Sequence, residues 1–110
     1  LEFRRVLFRS VAAWRKWPTG VFLAWYPRKD LPAIARFHQQ LVAGGLRRML
    51  AIDFDVAAPT REGKLAGCGL LAINPPFTLE TEARILLPWL VLRLARGRGA
   101  GWRAAWIAGE

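Results

Sequence analysis

The sequence predicts an α/β domain, because apolar runs of strand length alternate with two stretches whose apolar residues recur at helical spacing. One connection between apolar runs is also too short for a crossover and reads as an antiparallel hairpin. Thr19 to Tyr26 is almost continuously apolar until Pro27 closes it, which suits a strand buried on both faces of a parallel sheet. Asp30 can cap the helix that follows. Leu31 and Pro32 open that helix, Ile34, Phe37 and Leu41 recur on one face, and Gly44-Gly45 stops it.

Leu46 to Val56 reads as a second strand. Met49, Leu50, Ile52, Phe54 and Val56 are its apolar positions, and Asp53 and Asp55 alternate with the last of them to mark a more exposed end. Ala57 to Ala66, with Pro59, Arg61, Glu62, Gly63 and Lys64, is a solvated loop, and Gly67 to Ile73 is the returning strand of the hairpin. Thr78 is placed to cap a second helix whose first turn carries Glu80 and Glu82, where negative charge suits the helix dipole. Leu79, Ala83, Leu86, Leu90 and Leu94 line one face of it, and Pro88 should kink or divide it. Gly97 to Gly101 ends the helix and Trp102 to Ala108 forms a last strand, giving the order β-α-β-β-α-β.

The composition fits one small domain. With 110 residues, 54% of them hydrophobic and 23% charged, the chain can build a core, which excludes a disordered tail or an array of domains. Seventeen Lys and Arg against eight Asp and Glu give a formal charge of +9, which favours a polyanionic partner such as nucleic acid, or an anionic membrane surface, and charge alone names neither. Cys68 is the only cysteine and His38 the only histidine, so neither an internal disulfide nor a zinc cluster can form. The richest apolar stretch, Ile85 to Leu92, is interrupted by Pro88 and bounded by Arg84 and Arg93, too short to cross a bilayer. A cytoplasmic protein with no membrane partner is the expectation.

The first ten residues stand apart. Leu1 to Ser10 back-translate into a string that resembles a common short-read sequencing adapter read in frame, so residues 1–10 are expected to be adapter-derived and 11–110 to be the domain. The leucine start and the single methionine, Met49, suggest an incomplete reading frame. The basic excess survives removal of Arg4, Arg5, Arg9 and Glu2.

Asn74-Pro75-Pro76-Phe77 follows the third strand directly. Such a turn suits methylation of a base's exocyclic amine: a side-chain oxygen and a proline-fixed carbonyl accept the amine hydrogens while an aromatic ring stacks on the extruded base. The same four residues equally describe a proline-stiffened turn, with Asn74 satisfying local backbone and Phe77 in the core. Gly97-Arg98-Gly99-Ala100-Gly101 lies after a helix and before a strand, the reverse of a phosphate-binding loop. Trp14, Trp17, Trp25, Trp89, Trp102 and Trp106 interleave with arginines, as on surfaces that stack bases and neutralise phosphates, although Trp25, Trp89 and Trp106 fall within elements read as buried. Arg28, Lys29, Arg61, Lys64, Arg96 and Arg98 fall in loops and are the candidates for RNA phosphate contact. Cys68, between Gly67 and Gly69, reads as a buried, inert thiol.

Thr19-Gly20, Leu23-Ala24-Trp25-Tyr26-Pro27, Gly45-Leu46-Arg47, Ile73-Asn74-Pro75-Pro76, Leu87-Pro88-Trp89-Leu90 and Trp106-Ile107 together resemble, in order and spacing, the C-terminal part of the ribosomal RNA large subunit methyltransferase J family. The resemblance implies the C-terminal part of a class I, Rossmann-like fold and methyl transfer from S-adenosylmethionine to N6 of an adenine in 23S rRNA. The family's donor-binding loop and catalytic Asp-Pro-Pro-Tyr turn lie upstream of the matched part. Neither occurs in this sequence, so no donor-binding residue is assigned and the chain is expected to be inactive alone. Asn74 to Phe77 would match a second, downstream turn that the family usually closes with Trp, which leaves Asn74 and Phe77 as secondary catalytic candidates only. By the same correspondence Trp25, Tyr26 and Pro27 would border the substrate cleft, and the hairpin strands would lie at one edge of the sheet. Strand 21–26, deprived of a neighbour, would recruit another copy of the chain. The alternative is a self-contained basic RNA-binding module.

Overall fold

The computed structural model describes residues 3–58 and 66–108. The order of elements is α1 (Phe3–Lys16), β1 (Phe22–Pro27), α2 (Leu31–Ala43), β2 (Met49–Asp55), β3 (Gly67–Ile73), α3 (Leu79–Leu94) and β4 (Gly101–Ala108). The four strands form one sheet in the order β1-β3-β2-β4, and every neighbouring pair is antiparallel. Since β1 and β2 both run against β3, they run parallel to each other, and α2 is the crossover between them.

Local chemistry sets the element ends. Asp30 accepts a hydrogen bond from the Ala33 amide through Oδ1 at 3.0 Å, so α2 begins where an N-cap aspartate was expected. It ends at Gly44, and Gly45 takes a φ of 94° that a side chain would resist. At α3 Thr78 occupies the N-cap position but its side chain makes no cap bond; the first-turn Leu79 amide instead donates to the Pro76 carbonyl at 3.0 Å. Pro88 does not divide α3, which runs unbroken through it.

Two apolar clusters hold the layers. On one face α2 packs Ile34, Phe37 and Leu41 against Tyr26, Met49, Ala51, Leu71 and Ile73, with Val11 and Trp14 of α1 at the margin. On the other, α3 places Leu79, Ala83, Leu87 and Leu90 against Leu50, Ile52, Ala72 and Ala104. Arg84 pins this second contact by donating to the Ala104 carbonyl at 2.8 Å and lying 5.9 Å from the Trp102 ring.

The structure corrects several expectations. The segment Thr19 to Tyr26 is not a doubly buried strand of a parallel sheet. Its strand, β1, is an edge strand antiparallel to β3, with Leu23 and Trp25 63% and 55% exposed. The hairpin strands β2 and β3, expected at an edge, occupy the middle of the four. Leu86 and Leu94 do not join the packed face of α3, since 3.6-residue geometry turns Leu87 inward instead. Trp25, Trp89 and Trp106, read as buried, are all exposed, and Cys68 is partly exposed rather than buried.

An element also precedes Thr19, where the sequence reading had none. The helix α1 passes through Ser10, yet among the residues whose side chains are described those that pack on the core, Val11 and Trp14, lie beyond that point, and Phe8 is 75% exposed. Removing Leu1–Ser10 is therefore expected to change stability by less than about 0.5 kcal/mol. Thermal melting of the truncated chain measures this, and a loss of several degrees would show that the segment packs.

Candidate functional site

The end of the sheet where β1 and β2 finish carries a cluster of aromatic and charged groups. Its sequence origin is the Gly67-Cys68-Gly69 start of β3. Tyr26 is paired with Gly69 and wholly buried, and a Cβ on Gly69 would collide with the tyrosine ring. Gly67 makes the same allowance for Asp55, whose carboxylate occupies the space a Cβ would need. The two glycines thus open a notch in β3 that larger groups from β1 and β2 fill.

Across this notch Arg28 joins the strands. Its Nε donates to Asp55 Oδ1 at 2.9 Å and its guanidinium lies 3.2 Å from Asp53 Oδ2, with all three side chains largely shielded. Asp53 Oδ1 is buried and has no hydrogen-bond partner, and burial pushes the Asp53 carboxyl up despite the opposing pull of Arg28. Tyr26 and His38 lie next to this group, joined by a 2.9 Å hydrogen bond between the phenol and Nε2. Burial raises the Tyr26 phenol far above its ordinary range, with Asp53 adding to the effect, and burial together with Arg28 lowers His38. Beside them a groove of about 570 Å³ runs between α2 and β4, with Asp53 and Arg103 on its floor and Ile34 and His38 on its wall. These groups are directed chiefly at one another, which suits a clamp between strand ends rather than proton transfer.

The sequence candidates therefore separate. Tyr26 and Arg28 lie on the α2 side of the sheet, while Trp25 projects from its opposite face and lines a different hollow. Pro27 pairs with Cys68 at the last position of β1. Lys29 is exposed beyond it, whereas Arg28 is engaged by two carboxylates. Arg61 and Lys64 lie outside the described residues. Asn74 sits at the opposite end of β3 with a φ of 54°, and its Nδ2 donates to the carbonyls of Pro18 and Gly20 at 2.6 and 3.0 Å. That side chain ties β3 to the segment entering β1, so it satisfies distant rather than local backbone. Phe77, three residues on, is 91% exposed and not in the core. The sequence reading missed the Arg28–Asp53–Asp55 clamp, and the spaced glycines of β3 were the signal for it.

The family model described as Ribosomal RNA large subunit methyltransferase D, RlmJ, matches residues 1–108. The chain belongs to this family. It is 31% identical over 97 residues to Ribosomal RNA large subunit methyltransferase J of Haemophilus influenzae, covering 88% of this chain and 34% of that protein. It is 28% identical over 109 residues to the protein of the same name from Escherichia coli K12, covering 99% of this chain and 39% of that one. The chain thus spans between a third and two-fifths of the length of these relatives. A crystal structure of protein LPL1258 from Legionella pneumophila superposes with a TM-score of 0.81 at 23% identity, covering 96% of this chain and 38% of the other, and shows the same fold.

Two measurements probe the clamp. Gly69→Ala should destabilise the chain by about 1–3 kcal/mol in denaturant unfolding, because the Tyr26 ring must move, and Lys29→Ala should stay within about 0.5 kcal/mol. The second is pH dependence. Folded His38 resists the proton that the unfolded chain accepts near its ordinary value of 6.5, so the stability it contributes is present above that value and is lost as pH falls below it. His38→Gln should flatten the stability profile between about pH 7.5 and 5.5.

Proposed function

We propose that this chain is the C-terminal part of an enzyme that transfers methyl from S-adenosylmethionine to N6 of an adenine in 23S rRNA, and that it lacks activity by itself. Family membership over residues 1–108 carries the reading. A feature of the sheet supports it: among the described residues β1 pairs with a strand along one side only, and its other side, facing a groove shared with Arg9, Ser10 and Ala13 of α1, carries no strand and is where a larger class I methyltransferase sheet would continue. The donor-binding and catalytic segments belong to the portion of the family's length that this chain does not span. On this reading the end of β1, Trp25-Tyr26-Pro27, borders the substrate cleft, with Trp25 as its exposed side chain and Tyr26 buried behind it. A separate proposal, resting on the likeness of Leu1–Ser10 to a translated adapter and not on the family match, is that residues 1–10 are adapter-derived and the domain proper is 11–110. Among the described residues no helix is long and apolar enough to cross a membrane.

Joining residues 11–110 to the upstream portion of the Escherichia coli relative and assaying methyl transfer to 23S rRNA tests the reading. The joined protein should methylate, and the chain alone should neither transfer methyl nor bind S-adenosylmethionine in calorimetry. Saturable donor binding by the chain alone would overturn the assignment of the donor site to the upstream portion.

The free edge of β1 has a further consequence for the isolated chain. Val21 to Tyr26 carries no charge, and an uncharged edge strand recruits strands from other copies. Association through β1 is therefore expected at high concentration. Leu23→Lys should suppress it in sedimentation, because Leu23 is solvent-facing whereas Ala24 packs toward the α2 core. A monomer at all concentrations, unaffected by Leu23→Lys, would contradict it.

A further inference from the structure

We propose that the hollow between Trp25 and the end of α3 is a stacking site for an unpaired RNA base, with Arg96 at its mouth contacting the adjoining phosphate. The proposal rests on the reading of the chain as part of an rRNA-modifying enzyme and adds to it a place where the RNA is held. The hollow has a volume of about 450 Å³, and Trp25, Phe54, Cys68 and Leu94 form its apolar walls. It exists because α3 covers β2 and β4 and does not reach β1, so the outward residues of β1 are left without a helix above them. Trp25 is the third residue from the end of β1 and Phe54 the second from the end of β2, two strands that run parallel. The hollow therefore lies toward the carboxyl ends of those strands, where open α/β sheets receive ligands.

Its charge selects the occupant. Arg96 is the one ionisable residue among the described lining residues besides Cys68, and Arg98 is exposed on the same connection out of α3, while Arg93 in the last turn of α3 lies over the Trp89 ring. Asp55, the nearest acidic position on β2, turns to the opposite face and is held by Arg28. An indole, an apolar floor and a cationic rim match a nucleobase followed by its phosphate. A second copy of the chain fits less well, since it brings a formal charge of +9 against the same arginines.

The test is a fluorescence-anisotropy titration of the whole chain with a labelled single-stranded RNA oligonucleotide over a series of salt concentrations. Melting curves check that each variant folds. Trp25→Ala should weaken binding about tenfold with the salt slope unchanged, and Trp25→Phe should retain most of the affinity. Arg96→Ala should lower the salt slope by about one, while Arg36→Ala, exposed on α2 across the sheet, should leave the Trp25 effect intact. Duplex RNA of the same sequence should be insensitive to Trp25→Ala, because its bases are not available to stack. Binding of single-stranded RNA that is indifferent to Trp25→Ala would overturn the stacking site and leave the methyltransferase reading, tested separately by methyl transfer, untouched. A Trp25→Ala variant that converts a dimer to a monomer without changing RNA affinity would also overturn it and identify the hollow as a contact between copies.

Discussion

The approach of the Tyr26 ring to Gly69 governs how this sheet is assembled. Among the described residues the edge strand β1 pairs only with β3, so its placement depends on that single ladder and on what crosses it. Tyr26 crosses it at one level, wholly buried over the glycine and hydrogen-bonded to His38 of α2. Arg28 crosses at the next, reaching over β3 to Asp53 and Asp55 of β2. A side chain at residue 69 would interrupt the first contact and one at residue 67 would collide with Asp55, so the two glycines permit both crossings together. The same arrangement anchors the start of α2, because Asp30 caps that helix only two residues after Arg28.

At its other end β1 is secured by backbone chemistry rather than by packing. Asn74 adopts a left-handed conformation that asparagine tolerates better than most residues, and from there it reaches two carbonyls of the segment entering β1. Arg48, at the other side of the same strand pair, is left-handed too, and its carbonyl accepts the Asn74 amide at 2.9 Å. The Asn-Pro-Pro turn therefore acts here as a bracket. A motif with catalytic meaning elsewhere is built into the scaffold at the end of the sheet away from Trp25 and Arg28.

Much of the fold was legible from residue patterns. Asp30, Pro32 and Gly44-Gly45 delimit α2, and the short connection after Asp55 identifies the β2–β3 hairpin. The place of β1 was not legible, because a run of uncharged residues looks alike whether both faces are covered or one lies open. Trp25 and Tyr26 are neighbours in that run, yet one is exposed and the other wholly buried. Only knowledge of which helix lies on which face separates them. The helix α1 was hidden for a different reason: its first residues resemble adapter sequence, and its anchors Val11 and Trp14 are too few to establish a helical period. The Arg28 clamp was missed because a loop arginine reads as solvated unless the partner carboxylates across the strand order are known.

The consequence for function lies in the asymmetry of the two faces. On the α2 side the ends of β1 and β2 are closed by Tyr26, His38 and an arginine held between two aspartates, so the charges at those strand ends are matched, while Arg103 of β4 stands exposed in the groove beside them. On the α3 side the same strand ends are open and apolar, and the basic residues of the α3–β4 connection are exposed. A polyanion approaching this domain therefore meets unmatched positive charge on the α3 side. The free edge of β1 is a separate surface again, perpendicular in its bonding direction to the face that Trp25 occupies. One strand can thus extend the sheet through the backbone of β1 while a base rests on the indole of Trp25, and neither contact requires the other to be given up. That separation would let one short strand serve both proposed roles, extending a larger sheet through its edge and holding a base on Trp25.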